Sequence, residues 1–406
     1  MTGLGDLQDP ALLADPYPAF RRLRDAGPVL WDETHRMWLV TGHAETLEAL
    51  RRPETSVATA AARIRPALGA DAARFERLIG AISHFLTRVD PPDHTRLRAL
   101  VQKAFTLQAV ERMEPIVTSL VDGYLPAAPA SVSATPGAFD VMARVAVPLP
   151  ITVIARLLGV PAEDQARIKH WSDDLASVAD NDPRLDVLER AQRSLDAMHA
   201  YVVEVIAART TAPRDDLISA LIAVEERGDR LTPDELFGIV QVLLIAGQET
   251  TTHLIGNGLH ALLTHPDQLA RLRSSPALIG HCVDECLRYD SPVQVRTRVA
   301  TADFALGGQA IRAGQTLFLL LGAASRDPRV FPEPDRFDVG REPNHHLAFG
   351  HGIHYCLGHA LARLEARVAL GALIARLPDL RLDPDAPPRR VPNWSLRGFA
   401  SLGVRF

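Results

Sequence analysis

A glycine-rich segment near the C-terminal end of the chain carries the residues best suited to chemistry. It runs Ala348-Phe-Gly-His-Gly-Ile-His-Tyr-Cys356-Leu-Gly358 and leads directly into the helical pattern HALARLEARVALGALIARL. Cys356 is therefore predicted at or just before a helix N-terminus, where unpaired backbone N–H groups and the helix dipole stabilise a thiolate. The glycines let the backbone turn tightly and approach a flat ligand closely. Such a cysteine could be a buried structural thiol, a nucleophile with a histidine partner, or a metal ligand.

The neighbouring histidines make zinc an alternative, because His351, His354, Cys356 and His359 are all zinc-ligand types. Four ligands within one short loop would form a cramped tetrahedron, which disfavours zinc. A cysteine nucleophile needs a base and an oxyanion hole, and no arrangement in the sequence singles out a partner. Haem iron takes a single thiolate and leaves its opposite face open for oxygen. That chemistry fits one special cysteine and a separate polar patch elsewhere.

The polar patch lies inside a long apolar helix. Thr232-Pro233-Asp234-Glu235 forms a capping box with proline at the first helical position, and the pattern predicts one helix that continues to about Leu263. Its first half is apolar nearly all round, which predicts burial on every side. The run Gln248-Glu249-Thr250-Thr251-Thr252 follows. A carboxylate and hydroxyls there are costly unless they have partners or face a wet cavity; the alternative is that the helix reaches the surface and the run is solvated.

These residues must be positioned by a mostly helical chain with small islands of strand. Two short apolar runs, Val29–Trp31 and Met37–Val40, flank a polar segment and predict a β-hairpin. Between Arg298 and Leu321, strand-forming runs separated by glycine turns predict more antiparallel strands. Most of the rest has helical periodicity. The stretch 126–137, rich in proline and alanine, is either a domain boundary or a surface loop.

Composition excludes several classes of protein. The chain has 406 residues, 47% of them hydrophobic, which is far from the signature of disorder. A net charge of −5 argues against nucleic-acid binding. Three cysteines are too few for a disulfide framework, so a reducing, cytoplasmic location is expected. The N-terminus lacks a signal-peptide pattern, and prolines and arginines interrupt the most apolar window, 141–161, so no membrane span is predicted.

The cysteine segment resembles the haem-binding signature of the cytochrome P450 family, F-G-x-G-x-H-x-C-x-G. The matching residues are Phe349, Gly350, Gly352, His354, Cys356 and Gly358. Further matches, in the order of the soluble bacterial branch, are Asp90-Pro-Pro-Asp-His94, Ala246-Gly-Gln-Glu-Thr250, Glu285-Cys-Leu-Arg288 and Pro334-Asp-Arg336-Phe337. The resemblance implies a mainly α fold with small antiparallel β-sheets, shaped as a triangular prism around a long central distal helix. Because His94 and Cys356 would hold one haem, it also implies a single catalytic domain over residues 1–406.

The resemblance implies haem b, iron protoporphyrin IX, with Cys356 as the proximal thiolate ligand of the iron. Backbone N–H groups at Leu357 and Gly358 would donate to the sulfur, and Phe349 would keep it dry. Basic side chains at the family positions would bind the propionates. The full set expected to bind the cofactor is His94, Arg98, Ala246, Gly247, Arg298, Phe349, Gly350, His354, Cys356, Leu357 and Gly358. Arg296 is a weaker further candidate, and Arg96 is expected to point elsewhere.

Glu249 and Thr250 fall at the family's acid and alcohol positions, which implies that they relay protons during oxygen activation. The small residues Ala246 and Gly247 would leave room for oxygen and let the helix bend. Glu285 and Arg288 are expected to form a structural charge cluster with Arg336. Cys282 and Cys286, four residues apart on the same predicted helix, are interpreted as small buried thiols.

The function implied is a monooxygenase that inserts one atom of O2 into a mid-sized hydrophobic substrate. No flavin or iron–sulfur region is recognisable, so electrons from NAD(P)H are expected to arrive through a separate ferredoxin reductase and ferredoxin. A basic face formed by His359, Arg363 and Arg367, with Arg112 or Lys103, would dock the ferredoxin, unless these arginines are simply solvated and paired with acids such as Glu365. The protein is expected to be a monomer.

Substrate residues are expected from segments about 59–85 and 171–188, the distal helix, the strand near Val293 and the C-terminal turn. The named candidates are Leu243, Ala246, Val293, Gln294, Trp394, Ser395 and Leu396, with Gln294 as a hydrogen-bonding anchor. Two alternatives stay open within the haem interpretation: desaturation or oxidative coupling, and a haem protein that binds ligands or senses gases without turnover.

Overall fold

The fold places the cysteine segment between a β-sheet region and a long C-terminal helix. The computed structural model describes residues 3–58, 68–126, 137–179, 184–225 and 228–406. Most of the proline- and alanine-rich stretch 126–137 lies outside these residues, as do 59–67 and 180–183 of the predicted substrate segments. Among the described residues, no helix is both long enough and apolar enough to cross a membrane.

Helices dominate the chain. The α-helices are α1 Pro10–Ala14, α2 Tyr17–Ala26, α3 His43–Arg51, α4 Glu76–Ser83, α5 Asp93–Ala104, α6 Leu107–Glu111, α7 Glu114–Tyr124, α8 Pro148–Leu158, α9 Gln165–Ala179, α10 Leu185–Thr211, α11 Leu217–Ala223, α12 Pro233–Ala246, α13 Glu249–Thr264, α14 Pro266–Ser274, α15 Ile279–Tyr289, α16 Leu321–Ala324 and α17 His359–Arg376. Short 3₁₀ or π turns lie at Gly69–Phe75, Leu86–Arg88, Met142–Ala146, Ala162–Asp164, Pro276–Leu278 and Gly352–His354.

The strands are short. They are β1 Val29–Asp32, β2 Met37–Val40, β3 Thr55–Ser56, β4 Ala138–Asp140, β5 Val295–Ala300, β6 Phe304–Leu306, β7 Gln309–Ile311, β8 Thr316–Leu320, β9 Arg381–Leu382, β10 Arg389–Arg390, β11 Phe399–Ser401 and β12 Gly403–Arg405. The main sheet has the order β1-β2-β8-β5-β3, and smaller sheets pair β6 with β7, β10 with β11, and β12 with both β4 and β9. The predicted hairpin is confirmed, since Val29 pairs with Val40 and Asp32 with Met37.

The chain packs into two compact units. The larger unit comprises Met1–Thr55, Glu114–Leu149 and Thr250–Phe406, and the smaller comprises Ser56–Met113 and Pro150–Glu249. Both units are therefore built from segments that are far apart in sequence. The single domain expected over residues 1–406 stays a prediction.

The larger unit buries its main sheet on both faces. Because side chains alternate along a strand, Trp38, Val40, Leu317 and Leu319 join one hydrophobic cluster, whereas Met37, Leu39, Phe318 and Leu320 join another. The first cluster includes residues of α3 and the second residues of α2. The strand β5 pairs with β8 in this sheet and contributes Ala300 to the first cluster and Val295 to the second.

The smaller unit holds the apolar helix that begins at the capping box. Thr232 accepts from the N–H of Glu235 at 3.3 Å and the Glu235 carboxylate accepts from the N–H of Thr232 at 2.8 Å, so the predicted capping box is confirmed. Helices α9 and α10 pack against each other and against α12. They supply the apolar surroundings that the sequence of α12 requires.

The prediction of one helix continuing to about Leu263 is wrong, because α12 ends at Ala246 and α13 begins at Glu249. Gly247 still donates to the carbonyl of Leu243 at 3.0 Å, and helical hydrogen bonding is then interrupted. Glycine is a poor helix former, and the polar side chains that follow compete for backbone groups. A Cβ added at Gly247 would lie 2.7 Å from the Leu243 carbonyl oxygen, so the tight turn also needs a residue without a side chain.

Candidate active site

The cysteine segment folds into a tight turn held by its own backbone. Gly350 donates to the carbonyl of Leu347 at 2.8 Å, and Cys356 donates to the carbonyl of Phe349 at 3.0 Å. Gly350 and Gly352 have φ angles of +69° and +73°, in the left-handed region that favours glycine. A Cβ added at Gly352 would lie 2.9 Å from the carbonyl oxygen of Leu50, so a larger residue would also clash.

The turn delivers Cys356 to the start of α17. Cys356 forms no disulfide and has intermediate exposure, and α17 begins three residues later at His359, with Gly358 as its N-cap. The N–H groups of the first helical turn and the positive end of the helix dipole therefore lie next to the sulfur-bearing residue, where they favour a thiolate. A Cβ added at Gly358 would meet no described atom within 4 Å, so the loop is open to a close ligand at this point.

Phe349 is fixed by a cluster of rings and one cation. Its ring centroid lies 5.9 Å from that of His346, 6.3 Å from Tyr355 and 6.2 Å from His359. The Arg363 guanidinium carbon lies 4.6 Å from the centre of the Phe349 ring, within the range of a cation–π contact. This packing holds an apolar ring beside the cysteine turn.

Asp284 anchors that cluster from α15. Its carboxylate accepts from Arg363 at 2.8 Å and lies 3.4 Å from the ring nitrogen of His346. Burial alone would raise the pKa of Asp284, but the hydrogen bond from His346 and the charge of Arg363 lower it below its ordinary value. The carboxylate therefore stays ionised and keeps Arg363 over the Phe349 ring.

The structure does not bring the four residues of the zinc alternative together. The ring of His351 accepts from the N–H of Gly352 at 2.6 Å and contacts Arg51, whereas the ring of His359 contacts Arg363 at 3.1 Å. Within the described parts of the chain, no group of three or more His, Cys, Asp or Glu residues is placed to hold a metal ion. His351 thus holds the turn, and His359 contacts its surroundings.

Two arginines lie on one face of β5 in the larger unit. Arg296 pairs across the sheet with Leu319 and Arg298 with Leu317 of β8, and residues two apart on a strand share a face. Strand-forming runs are expected from Arg298 onward; in the structure the strand already begins at Val295. Arg298 is buried and donates to the carbonyl of Thr297 at 3.0 Å, whereas the Arg296 side chain is exposed.

In the smaller unit, His94 and Arg98 lie one turn apart on α5, as their spacing predicts. Burial lowers the pKa of His94, and the charge of Arg98 lowers it further, which shows that the two groups face each other. His94 is therefore neutral at pH 7 and can donate one hydrogen bond. Arg96 points elsewhere as expected, since it forms ion pairs with Glu235 and, at 3.2 Å, with Asp229.

The polar run of the distal helix has a mixed environment. Thr251, Thr252 and His253 are buried. Leu243, Ala246 and Gly247 at the end of α12, by contrast, keep accessible surface. Glu249 and Thr250 at the start of α13 are also partly accessible. The run is therefore neither wholly buried nor wholly solvated.

Glu285 and Arg288 form the expected charge pair in α15. Both side chains are fully buried, and two parallel hydrogen bonds of 2.7 and 2.8 Å join the guanidinium to the carboxylate. Arg288 also donates to the carbonyl oxygens of Ser325, Pro334 and Arg336 at 3.2, 2.7 and 3.1 Å. The pair thus fixes two distant segments of the larger unit.

The predicted role of Arg336 needs correction. Its guanidinium forms an exposed ion pair with Glu333 at 3.0 Å, and only its carbonyl oxygen joins the cluster. Arg341 takes the expected place, with a nitrogen 3.1 Å from the Glu285 carboxylate, and Asn344 donates to the same carboxylate at 3.1 Å. The reason is local. The backbone N–H of Arg336 donates to the Glu333 carbonyl, and the resulting turn directs main-chain carbonyls toward α15 instead of the Arg336 side chain.

These features agree with the comparisons to known proteins. The family model described as Cytochrome P450 matches residues 71–275 and 277–402. The chain belongs to the cytochrome P450 family. It is 43% identical to the cytochrome P450 monooxygenase PikC of Streptomyces venezuelae, over 97% of this chain and 91% of that protein. It is 41% identical to the vitamin D(3) 25-hydroxylase of Pseudonocardia autotrophica, over 93% of this chain and 90% of that protein.

Solved structures confirm the P450 fold. The crystal structure of CalO2 has a TM-score of 0.90 at 34% identity and covers 100% of this chain and 99% of its own. That of P450BioI with an acyl carrier protein carrying hexadec-9Z-enoic acid has a TM-score of 0.89 at 37% identity and covers 98% of this chain and 100% of its own. This P450 is thus an oxidoreductase of the monooxygenase class, with bacterial relatives, in a family that uses haem, O2 and electrons from NAD(P)H.

The side chains of this P450 suit the haem of its family. One thiol, Cys356, is placed by a glycine turn before a helix N-terminus and has an open side at Gly358. Two of the basic side chains expected to bind the cofactor are buried, Arg298 in the larger unit and His94 in the smaller. A single soft ligand with separate cationic and N–H donors is the donor set that a haem thiolate site requires.

The basic face of α17 is largely paired within this P450. Arg363 bonds to Asp284 at 2.8 Å and Arg367 to Glu114 at 2.9 Å. Both arginines are therefore paired with acids of the protein, as the alternative to ferredoxin docking predicts. The acids are Asp284 and Glu114, and not Glu365. Glu365 is buried, and burial raises its pKa well above the ordinary value. Ferredoxin docking at this face stays a prediction.

The expected substrate residues near the C-terminus are brought together. Val293 and Leu396 form an isolated β-bridge, Gln294 donates its N–H to the Ser395 carbonyl at 2.9 Å, and the Trp394 ring stacks on Phe318 at 5.4 Å. The side-chain amide of Gln294 is buried and donates to the Ser291 carbonyl at 2.6 Å and the Tyr17 hydroxyl at 3.2 Å. Its NH₂ group is thus used inside the protein, and its role as a substrate anchor stays a prediction.

Proposed function

We propose that this P450 is a haem-thiolate monooxygenase that inserts one atom of O2 into a mid-sized hydrophobic substrate by hydroxylation or epoxidation. The observation that carries the proposal is the placement of Cys356, a cysteine outside any disulfide, between a glycine turn and the N-terminus of α17. Electrons pass from NAD(P)H through a ferredoxin reductase and a ferredoxin to the protein, which acts as a monomer.

The haem would be held by residues that this chain places in suitable surroundings. Cys356 would ligate the iron, the N–H groups of Leu357 and Gly358 would donate to its sulfur, and the Phe349 ring would exclude water. The propionates would be bound by basic side chains, namely His94, Arg98, Arg298 and His354. When bound, the haem supplies the oxygen-activating chemistry that a thiolate ligand favours.

Glu249 and Thr250 would supply protons on the oxygen-binding side. Thr250 is partly accessible near the start of α13, and Glu249 precedes it. The Thr250 hydroxyl can hold and pass on a proton, and the Glu249 carboxylate can replace it through water.

The substrate class is supported by the apolar character of accessible residues in α12 and by the relatives. Leu243 and Ala246 near the end of α12 carry no polar side-chain group, and Val293, Trp394 and Leu396 are the other apolar candidates. One relative is named for hydroxylating vitamin D(3), a mid-sized hydrophobic molecule.

The proposal is tested on the wild-type protein by one absorbance scan and one turnover assay. The reduced protein with carbon monoxide should show the red-shifted band of a thiolate-ligated haem, and NADH, ferredoxin and its reductase should yield an oxygenated product. A colourless protein would contradict the proposal that the protein binds haem. A thiolate spectrum without turnover would favour a ligand-binding or sensor protein, and a desaturated or coupled product would favour the other alternative.

Replacing Thr250 with alanine should uncouple the reaction. The spectrum with carbon monoxide should remain, but the product formed per NADH should fall roughly ten- to hundredfold as hydrogen peroxide is released, because the hydroxyl that passes protons is lost. Both products are measured against NADH consumption. Thr264→Ala is the matched control, since the Thr264 hydroxyl lies at the end of α13, where it contacts the carbonyls of His260 and Ala261 and the ring of His265. Equal coupling in both variants would refute the relay.

A further inference from the structure

The connection between β10 and β11, residues 391–398, packs directly on the helix α13. A Cβ added at Gly398 would overlap the ring of His253, so the main chain of the connection lies against that ring. His253 follows Thr250 by three residues, and residues at this spacing share one face of a helix. The connection therefore contacts α13 on the face that carries Thr250.

Asn257 holds the connection from the same face of α13. It follows Thr250 by seven residues, which is two helical turns, and its side chain is buried. Its Nδ2 donates to the carbonyl of Arg397 at 2.9 Å and to that of Asp290 at 3.0 Å, and its Oδ1 accepts from Arg390 at 2.9 Å. One amide thus joins α13 to residues at both ends of the connection.

The buried carboxylate of Asp290 binds the same two arginines. It accepts from Nε of Arg397 at 2.5 Å and from Arg390 at 3.0 Å, and the Tyr17 hydroxyl donates to it at 3.0 Å. Burial alone would raise the pKa of Asp290, but the charges of Arg397 and Arg390 hold it well below its ordinary value. The carboxylate therefore stays ionised, and both ends of the connection are fastened by charge-assisted hydrogen bonds.

The middle of the connection carries residues expected to contact substrate, and its own contacts stiffen it. The side-chain oxygen of Asn393 accepts from the N–H groups of Ser395 and Leu396, both at 2.9 Å. The bridge between Leu396 and Val293 and the stacking of the Trp394 ring add to these bonds. Because the connection is bonded internally, the anchors at its ends help to set where the middle lies.

We propose that Asn257 is a positioning residue that fixes the connection along α13 and thereby sets where a substrate lies relative to Thr250. Asn257 is buried and acts through Arg390 and Arg397. A displacement of about 1 Å can change a reaction rate roughly a hundredfold, so a small shift of the connection matters. The inference rests on the proposed function and adds to it a determinant of substrate placement.

Two substitutions loosen the connection from opposite sides. Asn257→Leu removes the amide at similar volume, and Arg390→Met removes a guanidinium whose side chain is partly accessible, so it decides the test if Asn257→Leu does not fold. Gln268→Leu is the matched control. Gln268 is also a buried amide, but its Oε1 accepts from the N–H of Val339 at 3.2 Å and so serves another segment.

Two measurements on the purified proteins separate the local contact from its consequence. Hydrogen exchange of the amides in 391–398, followed by mass spectrometry, reports whether the connection is held and does not require haem. The Kd values of N-methylimidazole and N-dodecylimidazole, read from the shift of the haem absorbance band, report the substrate space. Both azoles ligate iron through the same ring, and they differ only in the length of the alkyl chain.

We expect Asn257→Leu and Arg390→Met to accelerate exchange in 391–398 roughly tenfold, because buried partners lose their hydrogen bonds. Each should weaken N-dodecylimidazole about fivefold or more and change N-methylimidazole by less than about twofold, as should Gln268→Leu for every readout. Unchanged exchange, an unchanged ratio of the two Kd values, or equal changes in Gln268→Leu would each refute the inference. A wild-type protein without a haem band would instead contradict the proposed function, and the exchange rates would still show whether Asn257 holds the connection.

Discussion

Replacing Cys356 with serine should remove the thiolate spectrum and abolish product formation. A serine hydroxyl is not ionised at neutral pH and is a hard, weak ligand where the family uses a soft thiolate. The turn around position 356 should survive, because its hydrogen bonds come from the backbone of Leu347, Phe349, Gly350 and Cys356. The measurements are the absorbance of the reduced protein with carbon monoxide, the haem content per chain, and product per NADH.

The same substitution at Cys282 is the matched control. Cys282 and Cys286 are buried together in α15, four residues apart. Cys282→Ser should keep the thiolate spectrum and lose only about 1–3 kcal/mol of stability, since it buries a hydroxyl. A thiolate spectrum that persists in Cys356→Ser and disappears in Cys282→Ser would move the iron ligand to α15 and overturn the site.

Features encoded by local patterns could be predicted from the sequence. The hairpin follows from two apolar runs at strand spacing, and the register pairing Val29 with Val40 confirms it. The capping box at Thr232 follows from residue types three positions apart. The glycine turn before α17 follows from the signature around Cys356, where Gly350 and Gly352 adopt the left-handed conformation. Each of these rests on interactions between residues close in sequence.

Interactions between distant segments could not be predicted in the same way. Arg341 lies 56 residues from Glu285, and no spacing rule marks it as the partner in place of Arg336. The packing of Arg363 on Phe349 depends on Asp284, which lies 79 residues from Arg363. The sequence pattern also predicts one continuous helix where the structure has two, separated at Gly247. Apolar periodicity continues on both sides of this glycine, and a single glycine does not interrupt such a pattern. The contacts of Arg341 and Arg363 join segments that are far apart in sequence, whereas the break at Gly247 depends on local backbone preferences that an apolar pattern does not register.

The buried pair in α15 leads to the second prediction with a large effect: Arg288→Ala should destabilise the protein by about 3–5 kcal/mol and prevent it from holding haem. The substitution leaves the buried carbonyls of Ser325, Pro334 and Arg336 without the donors that Arg288 supplies. It also leaves the Glu285 carboxylate with only part of its present set of donors. The measurements are the urea midpoint and the haem content of the purified protein.

Arg336→Ala separates this effect from a general loss of positive charge in the same region. The Arg336 side chain is 54% exposed and pairs only with the 70%-exposed Glu333, so its removal should cost less than about 1 kcal/mol and leave haem content unchanged. The carbonyl of residue 336, which Arg288 uses, is retained in that variant. Equal losses in the two variants would mean that the Arg336 guanidinium, and not the buried Arg288 network, stabilises the segment. A large loss confined to Arg288→Ala would show that α15 secures the segment through main-chain carbonyls, which is why the side chain at position 336 is free to face solvent.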